Sequence, residues 1–96
     1  MIRNQAGQKW TVIPIDSTTG LAVSGIAATI TAKIRKDGGA LVDTHDLHPE
    51  EIEDSQYDFE ITQGECNAYK LNFYPESSTP GVVVFALPPV IYTTDG

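Results

Sequence analysis

Apolar and polar residues alternate with a period of two along most of the chain, which is typical of β-strands that bury one face. The clearest case is ITAKIRK at 30–36, where Ile30, Ala32 and Ile34 are expected to point inward. The same alternation in three further segments predicts these inward-facing sets: Trp10, Val12 and Pro14; Tyr57, Phe59 and Ile61; Tyr69, Leu71 and Phe73.

Turn residues separate these segments at regular intervals. KDGG at 36–39 indicates a tight hairpin, because Asp-Gly and Gly-Gly tolerate positive φ, and DSTTG at 16–20 indicates a side-chain-bonded turn. Thr62 and Glu65 have capping-box spacing, which favours one short helical turn. With 96 residues and about seven strands, the sequence predicts a single domain over 1–96, an all-β, small immunoglobulin-like β-sandwich.

The final segment, GVVVFALPPVIYTT, is apolar and carries no charge. Pro88-Pro89 cannot lie in a central strand, so the chain is expected to bend or change sheets there. Residues 82–87 fit equally well an exposed edge strand or a central core strand. The segment beyond is predicted to bind a partner through these residues: Pro88, Pro89, Val90, Ile91 and Tyr92.

Charge narrows the possible partners. Six basic and 13 acidic residues give a net charge of −7, which argues against binding to nucleic acid or to an anionic membrane. Most of the carboxylates lie within 43–60, and the stretch DTHDLHPEEIEDSQ at 43–56 is expected to form a solvated loop with Ile52 as its anchor. This loop would face solvent or a basic patch of a partner. No apolar run is long enough to span a bilayer, and no secretory signal is expected, because the first ten residues have no hydrophobic segment behind the arginine.

The single cysteine is a weak candidate for a nucleophile. Glu65 beside Cys66 would raise its pKa, and His45 and His48 lie about twenty residues earlier in the chain. Cys66 is therefore expected to pack in a strand-connecting turn. The same histidines are a weak metal site, because Pro49 breaks the helix that would align them. The prediction is a protein that is not an enzyme, with no catalytic, cofactor-binding or metal-binding residue.

Aromatic side chains offer a different possibility, a carbohydrate-binding surface. The candidates are Trp10, Tyr69, Tyr74 and Tyr92. The alternation places most of them inward, which counts against this reading.

The order of these features resembles small structural proteins of tailed phages with an immunoglobulin-like sandwich, and is similar to the amino-terminal domain of siphophage baseplate upper proteins. The matching stretches are Lys36-Asp37-Gly38-Gly39, Tyr57-Asp58-Phe59, Thr62-Gln63-Gly64-Glu65 and Leu71. The baseplate proteins continue into long fibre-like or receptor-binding regions, whereas this sequence ends at Gly96. On this difference in length, a capsid decoration (cement) protein is expected in preference to a baseplate adaptor.

The resemblance implies a virion protein, assembled in the host cytoplasm, that binds the major capsid protein and stabilises the assembled shell. A tail protein is the alternative partner, in which case the chain would be a baseplate adaptor or a receptor- or carbohydrate-binding module. A homo-oligomer on the virion is compatible with both.

Overall fold

The computed structural model describes residues 1–95, and within them the chain forms eight strands and one turn of 3-10 helix at Ala27–Thr29. The strands are β1 (Gln8–Asp16), β2 (Ile30–Lys36), β3 (Leu41–Asp43), β4 (Glu50–Glu53), β5 (Gln56–Ile61), β6 (Lys70–Ser77), β7 (Val82–Leu87) and β8 (Val90–Tyr92). The all-β prediction is confirmed, with eight strands in place of about seven. The helical turn lies at Ala27–Thr29 and not at residues 62–65, which form a non-helical turn.

The strands form two antiparallel sheets of four that pack as a sandwich. The first sheet has the order β4-β5-β1-β7, and the second sheet has the order β3-β2-β6-β8. The longest strand of each sheet lies inside it: β1 pairs with both β5 and β7, and β6 pairs with both β2 and β8. Each sheet therefore ends in two edge strands, β4 and β7 in the first sheet and β3 and β8 in the second.

Three aromatic rings join the sheets at the centre of the core. Phe73 of the second sheet stacks on Trp10 of the first, with ring centroids 4.4 Å apart, and meets Phe59 edge-on at 5.3 Å. All three side chains are buried. Offset stacking and edge contacts are the favoured arrangements of aromatic pairs, so these rings fix how the two sheets face each other.

The inward-facing sets predicted from alternation are confirmed with one exception. Tyr69 is 67% exposed, because it precedes β6 and its main chain belongs to a turn. The Asp37 carboxylate accepts hydrogen bonds from Tyr69 N and Lys70 N, both at 2.9 Å, which holds this turn against the 36–39 hairpin. Asp37 and Gly38 of that hairpin have positive φ, as the KDGG motif predicts.

The prediction for the acidic segment is wrong in two respects. Residues Glu50–Glu53 form the edge strand β4 and not a loop. Ile52 is half-exposed, because the pairing of β4 with β5 shifts register between Glu51 and Glu53. The segment is held to the sandwich by Pro49 and Thr44, whose side chains are buried.

The expected change of sheets at the double proline is confirmed. β7 pairs with β1 in the first sheet, and β8, which begins directly after Pro88-Pro89, pairs with β6 in the second. Because proline has no main-chain N–H, it suits a corner where neither sheet needs a donor.

Candidate partner-binding surface

The five residues predicted to bind a partner do not form one surface. Pro88 and Pro89 are exposed at the corner between the sheets. Val90 and Tyr92 point outward from the second sheet, and Tyr92 is 71% exposed. Ile91 is half-buried and packs against the core. Four of the five side chains are thus accessible, and they face two different directions.

The main chain of this corner also supports the fold. The indole Nε1 of Trp10 donates to Pro88 O at 2.6 Å, and Phe73 N donates to Pro89 O at 3.0 Å. Beyond β8, the Thr93 hydroxyl donates to Ala68 O in the interior. Removing residues 88–96 would therefore disturb the sandwich itself, so binding by this segment has to be tested with single substitutions.

A larger apolar surface lies just before the double proline, on the outer face of the first sheet. Val83, Phe85 and Leu87 of β7 point to solvent with 49%, 52% and 50% of their surfaces exposed. In register beside them on β1, Ile15 pairs with Val83 and Ile13 with Phe85. We call these five residues the apolar strip.

Residues 82–87 form an edge strand and not a central core strand, the two structures that fit the sequence equally well. β7 is an edge strand, and it buries one face: Val84 and Ala86 lie in the core. Its other face, Val83, Phe85 and Leu87, is as apolar as the buried one. Alternation cannot reveal the orientation of a strand in which both faces are apolar, which is why the sequence left this question open.

Carboxylates occupy the other half of the same outer face. Asp58 and Glu60 of β5 project there, and Glu50 of β4 lies in register beside Asp58. Lys9 of β1 makes an ion pair with Glu60 at 3.3 Å. The outer face of the first sheet is thus divided into an acidic half on β4 and β5 and an apolar half on β1 and β7.

The second sheet presents a polar outer face with cations and tyrosines. Lys33, Arg35 and Lys70 alternate outward there, with Tyr74 and Tyr92 among them. Arg35 is already engaged, since its Nε donates to Gly39 O at 2.8 Å. Three of the basic residues of an acidic chain therefore share one face.

The expectation that most candidate sugar-binding aromatics point inward is wrong. Trp10 is buried, but Tyr69, Tyr74 and Tyr92 are 67%, 42% and 71% exposed. Tyr69 carries the Arg3 guanidinium 4.0 Å above its ring centroid. Alternation failed for Tyr69 because this residue lies outside the strand.

Cys66 lies in the strand-connecting turn that the sequence predicts. Its side chain is fully buried, and its thiol lies 3.2 Å from Gln5 O. The turn is closed by the predicted capping box: Thr62 N donates to Glu65 Oε1 at 2.9 Å and Glu65 N donates to Thr62 Oγ1 at 3.2 Å. Within residues 1–95, no histidine is among the hydrogen-bond partners of Cys66.

The two histidines make hydrogen bonds to groups other than the cysteine thiol. His48 Nδ1 lies 2.8 Å from Ile30 O, and the main-chain N–H of His45 donates to Glu65 Oε2 at 3.0 Å. Among the described residues, no group of three or more His, Cys, Asp or Glu side chains is arranged to hold a metal ion.

An open groove of about 520 Å³ runs between the start of β1, the 45–47 segment and the end of β5. Its polar groups are largely paired with one another. Lys9 bonds Glu60, and Asp46 Oδ2 accepts from Glu60 N at 2.8 Å. The groove offers a shallow polar surface on which these side chains already satisfy each other.

Glu51 and Tyr57 form a small titratable cluster that holds the 23–26 segment. Hydrogen bonds from Gly25 N and Ser55 N lower the pKa of Glu51 below its ordinary 4.5. Burial raises the pKa of Tyr57 above 10.0. The Tyr57 hydroxyl donates to Val23 O at 2.9 Å, so both side chains tie this segment to β4 and β5.

Comparison of the chain with protein-family models, with curated proteins and with solved structures finds no match in any of the three. Over residues 1–95, none of the helical structure has the length and apolar character needed to cross a membrane.

Proposed function

We propose that this protein is a non-enzymatic structural protein of a tailed-phage virion, which binds and stabilises an assembled capsid shell as a decoration (cement) protein. The observation that carries the proposal is the apolar strip, in which Val83, Phe85 and Leu87 are each about half exposed on an edge strand. A contiguous apolar patch on a small acidic domain is typical of a surface that another protein covers. The choice of an assembled capsid as the partner is inferred from the resemblance of the turn motifs to those of phage structural proteins.

The strip suits an assembled partner better than a free subunit. Apolar burial stabilises a contact by about 25 cal/mol per Å², but association first costs roughly 4–15 kcal/mol of translational and rotational freedom. A strip of five residues therefore gives modest affinity at one site. A ligand that binds only the assembled state still shifts the equilibrium toward that state, so such contacts repeated over a shell stabilise it.

The acidic half of the same face has a separate role in this proposal. Glu50, Asp58 and Glu60 keep the free protein soluble and limit non-specific adhesion of the strip. On the shell they would face solvent or a basic patch of the major capsid protein. The opposite outer face, with Tyr74 and Tyr92, would point away from the shell.

Cosedimentation of the full chain with tail-free heads, and separately with isolated tails, tests the proposal. Phe85→Lys places a charge in the centre of the strip, and Tyr74→Lys is the matched control on the other sheet, since Tyr74 is 42% exposed. Tyr92→Lys tests the predicted C-terminal segment. We expect saturable binding to heads that Phe85→Lys abolishes and Tyr74→Lys retains.

Each other result has a definite meaning. Binding to tails and not to heads would reassign the chain to a tail or baseplate adaptor. Head binding retained in Phe85→Lys would remove the strip from the interface, and equal loss in Phe85→Lys and Tyr74→Lys would show that the effect is not specific to the strip. Binding to neither particle would overturn the virion assignment.

A second candidate function is a receptor- or carbohydrate-binding module at the phage tail. The observation that favours it is the exposure of Tyr74 and Tyr92 on the outer face of the second sheet, where Asn72 and Lys70 lie between them. Flat aromatic side chains flanked by hydrogen-bonding groups suit the apolar and polar faces of a sugar. Retention on immobilised host cell-wall polysaccharide, lost in Tyr92→Ala and unchanged in Phe85→Lys, would support this function over shell binding.

A further inference from the structure

The four edge strands of the sandwich differ in how they are protected from pairing with another chain. β4 carries three glutamates in the sequence EEIE, and β3 and β8 are three residues each. β7 is six residues long and carries no charge. Proteins protect sheet edges with charge, with short strands or by covering the edge. Among residues 1–95, β7 is thus the long edge strand that lacks a charge.

The pairing of β7 with β1 determines which of its main-chain groups are free. Pro14 has no N–H, and its carbonyl accepts from Val23 N at 3.0 Å, so Pro14 directs its main chain away from β7. Its partner Val84 is therefore in a non-hydrogen-bonded pair, and the bonds to β1 come from Val83, Phe85 and Leu87. Val84 and Ala86 direct their N–H and C=O groups to the open edge.

Two residues before Val84, the main-chain N–H of Val82 already has a hydrogen-bond partner. Val82 also directs its main chain to the open edge, but its N–H donates to Thr79 O at 3.3 Å. Pro88, at the other end, has no N–H. Among the partners within residues 1–95, none bonds the N–H groups of Val84 and Ala86, so these are the free donors on this edge, two residues apart, with their carbonyls beside them.

We propose that β7 pairs with β7 of a second copy of this chain, antiparallel, about a two-fold axis that passes through Phe85. In this register Val84 of each copy lies opposite Ala86 of the other, and each such pair exchanges two main-chain hydrogen bonds. All four free donors are satisfied, and Val82 N keeps its bond to Thr79. The two Phe85 side chains meet on the outer face, and Val83 lies opposite Leu87 of the second copy.

Charge favours this edge for a second copy. With a net charge of −7, two copies repel each other unless their carboxylates stay apart. In the first sheet, β5 and β4 lie two and three strands from β7. At about 4.8 Å per strand, the acidic halves of the two copies are then separated by roughly 20 Å or more, beyond the Debye length of about 8–10 Å at physiological salt. Pairing through β4 would instead bring the carboxylates together.

The dimer has a consequence for the apolar strip. The two first sheets become one eight-stranded sheet, and the two strips join into a single apolar surface centred on Phe85. The interface is small compared with the roughly 800 Å² per partner of a stable complex, so we expect dissociation in the micromolar range. The dimer does not depend on the proposed function, but if both hold, a dimer would present two strips to the shell at once.

Disulfide trapping in the full chain tests the register. In Phe85→Cys the two introduced cysteines would face each other across the axis at a Cα separation of about 4.5 Å, within the range a disulfide bridges. Val83→Cys is the matched control: Val83 is equally exposed, but in this register it lies about 13 Å from Val83 of the second copy. The native Cys66 is buried and contributes little background.

On mild oxidation with diamide, we expect Phe85→Cys to form a covalent dimer at least tenfold faster than Val83→Cys. A mixture of Val83→Cys and Leu87→Cys should give the mixed dimer in preference to either homodimer. Equal trapping rates for Phe85→Cys and Val83→Cys would overturn the register. A native chain that remains monomeric in sedimentation velocity up to several hundred micromolar would overturn the dimer.

The two proposals fail separately in these experiments. Register-specific trapping without binding to heads or tails leaves the dimer and removes the virion role. Head binding by a chain that neither dimerises nor is trapped leaves the virion role and removes the dimer. Ala86→Pro gives an independent measurement, since it deletes a free N–H at the edge while leaving Phe85 in place. It should lower self-association while thermal unfolding shows that the variant is folded.

Discussion

The indole Nε1 of Trp10 lies 2.6 Å from the carbonyl oxygen of Pro88, and this hydrogen bond joins the centre of the first sheet to the corner where the chain crosses to the second. Trp10 is 1% exposed and stacks on Phe73, so its ring fills the core while its Nε1–H donates a hydrogen bond to the main chain of the corner. The position therefore requires both the size and the N–H of tryptophan.

Trp10→Phe keeps an aromatic ring in the core but removes that donor. We expect the free energy of unfolding to fall by about 1–3 kcal/mol, because the Pro88 carbonyl loses its hydrogen-bond donor and the smaller ring leaves unfilled space in the core. Urea denaturation measures the change. Tyr74→Phe, an aromatic change on the outer face, is the control and should stay within about 0.5 kcal/mol of the native protein. An equal effect of the two changes would contradict the role of the corner bond.

Thr62 and Glu65 should be energetically coupled, since each side chain accepts the main-chain N–H of the other. We expect Thr62→Ala to cost about 0.5–2 kcal/mol. Glu65→Ala should cost at least as much, because it also releases the His45 N–H. A double-mutant cycle by urea denaturation checks this: the double variant should lose less than the sum of the single losses. Strict additivity would show that the two bonds are independent.

The stability of the protein should decrease in acid in part through Glu51. Hydrogen bonds from Gly25 N and Ser55 N lower its folded-state pKa below 4.5, so the ionised form stabilises the fold above that pH. This contribution is lost as the pH falls from 4.5 through the folded-state pKa. Urea midpoints measured from pH 7 to pH 3 should show Glu51→Gln less stable than the native chain at neutral pH, with the difference shrinking in acid.

Glu53→Gln, a change in the same strand at an exposed side chain, is the control for that experiment. It should follow the native pH profile closely. A Glu51→Gln difference that stays constant down to pH 3 would mean that packing, and not the charge of the carboxylate, stabilises the 23–26 segment.

The Cys66 thiol should react slowly in the native protein. Its side chain is fully buried in the capped turn, so dithiobisnitrobenzoate reaches it only when that region opens. We expect labelling of the native chain at neutral pH to be at least a hundredfold slower than of the urea-unfolded chain. In Val83→Cys, the introduced thiol on the apolar strip should label rapidly and serve as the internal standard. Rapid native labelling of Cys66 would place it at an accessible site.

Local features of the sequence predicted much of this architecture. Asp37 and Gly38 specify the hairpin because few residues tolerate positive φ, and the Thr62–Glu65 spacing predicts a turn that closes on itself. Ile30, Ala32 and Ile34 are buried because their polar neighbours leave one possible orientation of the strand. The predicted burial of Tyr69 and Ile52 was wrong because the local pattern does not determine which way these side chains point. Tyr69 lies outside its strand, and Ile52 lies at a register shift.

The sequence by itself therefore determined the strand-and-turn pattern, the inward set of most strands and the uncharged C-terminal run, since these depend on alternation and turn chemistry within a few residues. The tertiary structure decided which strands are edges, and hence that Val83, Phe85 and Leu87 remain exposed while Val84 and Ala86 are buried. It also brought cations of β2 and β6 to one face. Neighbouring strands in a sheet come from distant parts of the chain, so which apolar face stays uncovered is a property of the packed sheets and not of the segment.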